Sequence, residues 1–172
     1  LSILESATFE PNAFILNTLM KVYARHSQMD GVMYCVQQMD ELKVEKDVFT
    51  YSILLDAMGK AGLIDEIELI EEEMRRNCIE PNAVCYTTIM GAYMEAERFE
   101  IVLTKYREMN ERFVQPNVLT YSIVLDAMKE LHLKTEAEQL YENVVPHRVT
   151  PTSFNYPPFL PLSHSVRDLH GV

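Results

Sequence analysis

The chain has 172 residues, 48% of them hydrophobic and 24% charged, which is enough apolar material for one packed core or one repeat array and excludes a disordered polymer. Its longest apolar runs, such as Ile53-Leu54-Leu55, fall far short of the roughly 20 residues needed to cross a bilayer, so no membrane partner is expected. The formal charge of −11 counts against strong non-specific affinity for nucleic acid, which comes from Lys and Arg neutralising phosphates; taken alone, it points to a protein partner.

The chain opens at Leu1, and Leu1 to Asn12 reads as the back half of a unit already begun, so a targeting peptide would not be visible. From Ala13 onward a shift of 35 residues lays the sequence on itself, the mark of a repeat protein. Met39, Met74 and Met109 share one column, with Leu4 before and Val144 after. Tyr51, Tyr86 and Tyr121 share another, each followed by a small polar residue, Ser52, Thr87 or Ser122. Pro11, Pro81, Pro116 and Pro151 occupy a third, whose remaining member is Lys46. The units run 13–47, 48–82, 83–117 and 118–152 without insertion or deletion.

Within a unit the apolar spacing is helical, as in Tyr51, Leu54, Leu55 and Met58, then Ile64, Ile67, Ile70 and Met74. Two helices per unit are expected, broken at Ala61-Gly62. Asp65 with Glu68, and Thr135 with Glu138, have the spacing of a capping box at the start of the second helix. The prolines are expected to close each unit because proline cannot continue the helical ladder. A single helix pair has too little partner surface to bury its apolar face, so neighbouring pairs must stack into one continuous core. Proline-rich 153–172 breaks the pattern: Ser153-Phe154-Asn155-Tyr156 begins like a fifth unit, but Pro157, Pro158 and Pro161 forbid a regular helix.

Cys35, Cys78 and Cys85 form no CxxC pair and have no histidine at ligand spacing, which argues against a zinc site and a disulfide framework and favours a reduced compartment. No metal and no cofactor are expected. No Ser/His/Asp constellation or Gly-rich phosphate loop stands out, and His26, His132, His147, His164 and His170 lack evident partners, so an enzyme is not expected.

Segments 48–82 (VFTYSILLDAMGKAGLIDEIELIEEEMRRNCIEPN) and 83–117 (AVCYTTIMGAYMEAERFEIVLTKYREMNERFVQPN) resemble the pentatricopeptide repeat along their whole length, in the Tyr, the turn between the helices, the Met and the closing Pro-Asn. The resemblance extends over residues 13–152. It implies an all-α fold, a right-handed α-solenoid of helix-turn-helix repeats, whose first helices line a concave groove holding single-stranded RNA, one base per repeat. The fifth and last residues of each unit would then select the base: Asn17 with Asp47, Ser52 with Asn82, Thr87 with Asn117, and Ser122 with Thr152. By the family's rules the first three pairs imply 5′-UAA, and the fourth carries no assignment. The second residues, Phe14, Phe49, Val84 and Leu119, would flank the bases. Arg25 and Lys60, at the end of the first helix, would meet phosphate, whereas Glu95 and Glu130 take that place in the later units. The resemblance also implies a chloroplast or mitochondrial location and a part in organellar RNA processing, splicing or stabilisation.

Several residues keep a second reading. Asn, Asp, Ser and Thr are favoured at helix starts whatever a protein does, so the base-selecting columns are also candidate caps. Phe14 and Phe49 fit inter-repeat core as well as base contact, whereas the Tyr and Met columns are expected to pack. The acidic run Asp65, Glu66, Glu68, Glu71, Glu72 and Glu73 is expected on the convex face, as a solvated surface or as a dock for a basic protein. A tetratricopeptide-like, protein-binding scaffold is the competing function. The last residues, Arg167-Asp168-Leu169-His170-Gly171, resemble the opening of the small MutS-related domain that follows some such arrays.

Overall fold

The computed structural model describes residues 12–144. They form eight α-helices in four pairs: α1 (Ala13–Arg25) with α2 (Met29–Glu41), α3 (Val48–Lys60) with α4 (Ile64–Arg76), α5 (Ala83–Glu95) with α6 (Phe99–Glu111), and α7 (Val118–Glu130) with α8 (Lys134–Val144). The expectations that fall on Leu1 to Pro11, on Thr152 and on the tail 153–172 with its Arg167 to Gly171 motif lie outside the described residues.

Each first helix starts at an Asn or Asp whose side chain accepts a backbone N–H of the first turn: Asn12, Asp47, Asn82 and Asn117. Helix ends repeat as regularly. One left-handed residue follows every first helix, Ser27, Gly62, Glu97 or His132, and another follows α2, α4 and α6, at Lys43, Cys78 and Phe113. Around each of them the chain closes a Schellman motif, in which the next N–H bonds back to the carbonyl of the third-last helical residue. Leu63 reaches Met58 at 3.0 Å, and Val44, Ile79 and Val114 reach Met39, Met74 and Met109 at 2.8, 2.9 and 3.0 Å. The methionine column is therefore fixed twice over. Its carbonyls terminate the second helices, and its side chains are fully buried.

First helices pack directly on the next first helix, α1 on α3, α3 on α5 and α5 on α7, and second helices pack on their own first helix and the one after. No second helix packs backbone to backbone on another. The contacting row is the inside of a curved array and the separated row its outside, which is the solenoid expected of stacked helix pairs. Tyr51 and Tyr86 are buried in the core, and their hydroxyls donate to Glu73 (3.1 Å) and Glu108 (3.3 Å) on their own second helices. Tyr121 is half-buried, its ring edge-on to Tyr106 with centroids 6.2 Å apart.

Two local expectations are corrected. The second helices carry no side-chain cap where one was expected: α4 begins at Ile64 after Leu63, which makes no cap hydrogen bond, so Asp65 lies inside the first turn. Thr135 likewise falls within α8, which starts at Lys134. The physical reason is economy of chain. The residue that completes the Schellman turn is also the N-cap of the following helix, so backbone geometry sets the start, and Asp65 in the first turn favours the helix dipole. Nor does proline stop the second helices. They end at Glu41, Arg76 and Glu111, before Pro81 and Pro116 in their units, and α2 ends the same way ahead of Lys46.

Candidate nucleic-acid interface

On a helix, positions 2, 5, 9 and 13 form one stripe. On the first helices position 2 is held by Phe14, Phe49, Val84 and Leu119, which are 79%, 50%, 58% and 59% exposed. The inter-repeat core reading of Phe14 and Phe49 is thereby overturned: α3 packs on α1 with Thr50, Leu54 and Ala57 buried and Thr50 bonded to Asn17 of α1, and position 2 is left to solvent. Four apolar side chains at one repeated place on the inner row make a surface that water does not favour. Lys21, at position 9 of α1, sets its ammonium 5.9 Å from the centre of the Phe49 ring.

The fifth residues, Asn17, Ser52, Thr87 and Ser122, occupy the same place on successive first helices. Asn17 and Thr87 are buried at 3% and 7% exposure, whereas Ser52 and Ser122 are half-buried. The closing residues Asp47, Asn82 and Asn117 are exposed and serve as the N-caps already described, so cap chemistry is an established role of that column. It engages Oδ1 of each side chain.

Among the described residues, the buried polar ones are Asn17, Thr50, Thr87 and Thr120, and they meet in two pairs across units. Thr50 Oγ1 lies 2.9 Å from Asn17 Oδ1 and 2.9 Å from Asp47 Oδ1, while Thr50 N–H donates to Asp47 Oδ1 at 2.8 Å. Burial raises the Asp47 carboxyl, but the N–H and hydroxyl of Thr50, the Asn17 amide and the Phe49 N–H outweigh it and hold the group below its ordinary value. One unit's fifth and last residues are thus brought together around a hydroxyl of the next unit. The third unit repeats the arrangement, with Thr87 Oγ1 3.0 Å from Thr120 Oγ1 and Thr120 Oγ1 3.1 Å from Asn117 Oδ1. The second unit does not. Cys85 stands where the threonine would be, Asn82 Oδ1 accepts from Val84 and Cys85 N–H at 3.0 Å each, and the Ser52 hydroxyl turns back to the Phe49 carbonyl at 2.8 Å.

Charge along the inner row changes sign. Lys21 and Arg25 are exposed on α1. On α3, Lys60 lies 2.6 Å from Asp56 one turn earlier, an exposed pair. Glu95 ends α5, and α7 presents Asp126, Lys129 and Glu130. Burial raises the Asp126 carboxyl, Lys129 lowers it, Glu130 adds to the rise, and the group ends above its ordinary value. Sequence reasoning passed over Lys21, Asp56, Thr50 and Thr120. Asp56 was legible from its four-residue spacing to Lys60, and the two threonines from standing three residues after a closing Asp or Asn. Among the described residues, no group of three His, Cys, Asp or Glu side chains could hold a metal, and no helix is long and apolar enough to cross a membrane.

The PPR repeat family model matches residues 11–60 and 81–130, and the PPR repeat model matches 49–79. No curated protein matches the chain in sequence. Among solved structures it is similar to the pentatricopeptide repeat protein PPR10 in complex with an 18-nt psaJ RNA element, with a TM-score of 0.72 and 19% identity over 87% of this chain and 22% of that one. Against PPR10 from maize the TM-score is 0.64 and the identity 24%, over 84% of this chain and 21% of that one. Against the PPR domain of Arabidopsis thaliana protein-only RNase P 1, in complex with tRNA, the TM-score is 0.74 and the identity 12%, over 96% of this chain and 83% of that domain. The chain therefore spans about a fifth of the length of PPR10.

Proposed function

This chain belongs to the PPR repeat family, and from that premise we propose that it binds single-stranded RNA along the first-helix row, one base per repeat. The observation that carries the reading is the exposed apolar column Phe14, Phe49, Val84 and Leu119, set beside the polar pairs Asn17/Asp47, Ser52/Asn82 and Thr87/Asn117. Apolar side chains at a repeated interval pack on base faces, stacking on the aromatic ones being worth about 1–3 kcal/mol per base, and the amide, carboxylate and hydroxyl groups beside them meet base edges. By the family's rules the pairs read 5′-UAA, with Ser122 and Thr152 completing a fourth, unassigned position. The reading assigns no reaction: this is a binding scaffold, acting in organellar RNA processing, splicing or stabilisation in a chloroplast or mitochondrion.

Phosphate contact falls to Lys21, Arg25 and Lys60, the last of which is shared with Asp56. With few free cations and about four bases, association and ordering costs consume most of the gross stacking energy, and micromolar or weaker affinity is expected. Fluorescence anisotropy of the full chain with ten-nucleotide RNAs, containing UAA or a permutation of it, tests the reading. A preference for the UAA sequence supports it, and equal binding of every RNA, or none, sinks it.

A second reading is a scaffold for a basic protein. It is favoured by one observation, the acidic far end of the inner row at Glu95, Asp126 and Glu130. Under that reading a basic peptide competes for the row and RNA does not bind at all.

A further inference from the structure

We propose that Thr50 and Thr120, the third residues of their units, are positioning residues that set how the pair Asn17/Asp47 and the pair Thr87/Asn117 face a base, and that Cys85 leaves the pair Ser52/Asn82 unset. The proposal rests on the RNA reading above and adds residues outside the columns assigned to base selection.

Proton counting carries it. The Thr50 hydroxyl has one proton and two oxygen neighbours at 2.9 Å, Asn17 Oδ1 and Asp47 Oδ1. The Asn17 oxygen is the end turned to Thr50, so the hydroxyl donates to it or to Asp47 Oδ1, while the Asn17 amide donates to the Asp47 carboxyl. Nitrogen and oxygen of an amide are told apart by just such partners. The Asn17 amide is thereby held with its oxygen on Thr50 and its NH2 group beside Asp47, so the first unit offers a donor next to an acceptor. That suits a base edge with an acceptor next to a donor, as in uracil. In the third unit Thr87 Oγ1 also lies 2.7 Å from the Ala83 carbonyl. Its proton is committed there or to Thr120, and the direction of that choice passes through Thr120 to Asn117 Oδ1.

All four residues of these two links are buried, where a hydrogen bond fixes direction because no water competes for it. The second unit supplies the internal contrast. A thiol is a weak donor, Cys85 uses its backbone N–H on Asn82, and Ser52 bonds its own helix instead. Reading there depends on two side chains that do not constrain each other.

The test uses the full chain as wild type, Thr50→Val, Thr50→Ser and Cys85→Thr. Valine keeps the shape and removes the hydroxyl, and serine restores it. In the free protein, the NMR resonances of the Asn17 side-chain NH2 group are expected to be displaced and slow to exchange in wild type and Thr50→Ser, and to move toward solvent values in Thr50→Val. With ten-nucleotide RNAs carrying UAA or A, C or G in place of the U, Thr50→Val is expected to lower the preference for U by about five-fold, the scale of one hydrogen bond. Preference at the next base should not move, and Thr50→Ser should retain both. Cys85→Thr should sharpen discrimination at that next base. An Asn17 signal indifferent to Thr50→Val overturns the positioning role whether or not RNA binds. A changed Asn17 signal with an unchanged U preference, in a protein that does bind, overturns its part in base selection. If the wild type binds none of the RNAs, the RNA reading fails and takes that part with it, while the NMR result still decides the coupling.

Discussion

Lys105 on α6 reaches back to Glu71 on α4, joining two outer-row helices whose backbones do not otherwise touch. Their side chains are only 15% and 11% exposed, so this is a mostly buried ion pair between consecutive units and a rivet on the convex side. Lys105 also approaches Glu108 at 3.4 Å, and Glu108 in turn meets Arg112 at 3.3 Å.

Removing one partner of such a pair leaves an uncompensated charge, so Lys105→Met is expected to cost about 3 kcal/mol at pH 7. Burial raises the Glu71 carboxyl, and Lys105 partly offsets the rise; without Lys105 the group moves higher still. A carboxyl whose folded pKa lies above its unfolded value opposes folding when ionised, and that opposition disappears as pH falls through the folded pKa. The deficit of Lys105→Met relative to wild type should therefore shrink between pH 7 and pH 5. Urea unfolding at the two pH values checks this, and a deficit independent of pH rejects it.

Left-handed turns give a second prediction. Gly62 has φ of 69°, with Glu97 and Phe113 at 58° in equivalent and related turns. A Cβ on Gly62 would meet nothing within 4 Å, so Gly62→Ala carries only the backbone penalty, about 1 kcal/mol. Phe113 is 87% exposed and loses no packing on replacement. Phe113→Gly should raise stability by roughly 0.5 kcal/mol or more. Thermal melts of the two variants should move in opposite directions.

The same turns mark the limit of sequence reading. Period, helix count and the buried Met and Tyr columns were legible, because helical spacing and a fixed repeat leave few ways to stack thirteen-residue helices. Helix starts after the inner turns were not, since a left-handed residue at Ser27, Glu97 or His132 has no compositional signal where glycine is missing. At the candidate interface, the column positions could be read, but the hydrogen bonds between Asn17 and Thr50, 33 residues apart, could not. They depend on how consecutive first helices are set against each other.

Groove charge gives a third prediction. Arg25→Gln should weaken RNA binding and flatten its salt dependence by about 0.7 for each lost phosphate contact. Lys60→Gln should do less, because Lys60 is engaged by Asp56. Asp56→Asn, which frees that lysine, should strengthen binding. Equal losses in Arg25→Gln and Lys60→Gln would show that the ion pair opens at no cost and that both cations reach phosphate.

The final prediction concerns Asn82, which caps α5 through Oδ1 and stands beside Ser52 in the pair that lacks a threonine link. Its cap needs an acceptor, which aspartate supplies as well as asparagine, so Asn82→Asp should leave the melting temperature almost unchanged. Its free end changes completely: Nδ2 donates and accepts nothing, whereas a carboxylate oxygen accepts and donates nothing. Adenine and guanine present opposite donor and acceptor patterns on their pairing edges, so the preferred purine at the second base should switch from adenine to guanine. The expected change in discrimination is roughly 1–3 kcal/mol, the scale of a bidentate base contact in DNA recognition. Anisotropy titrations of wild type and Asn82→Asp, with RNAs differing only at that base, measure it. A uniform loss for all four bases would assign Asn82 to capping alone. No change for any base would mean that RNA does not lie along the first-helix row, because a new negative charge beside a bound strand cannot go unfelt at the short range a base contact requires.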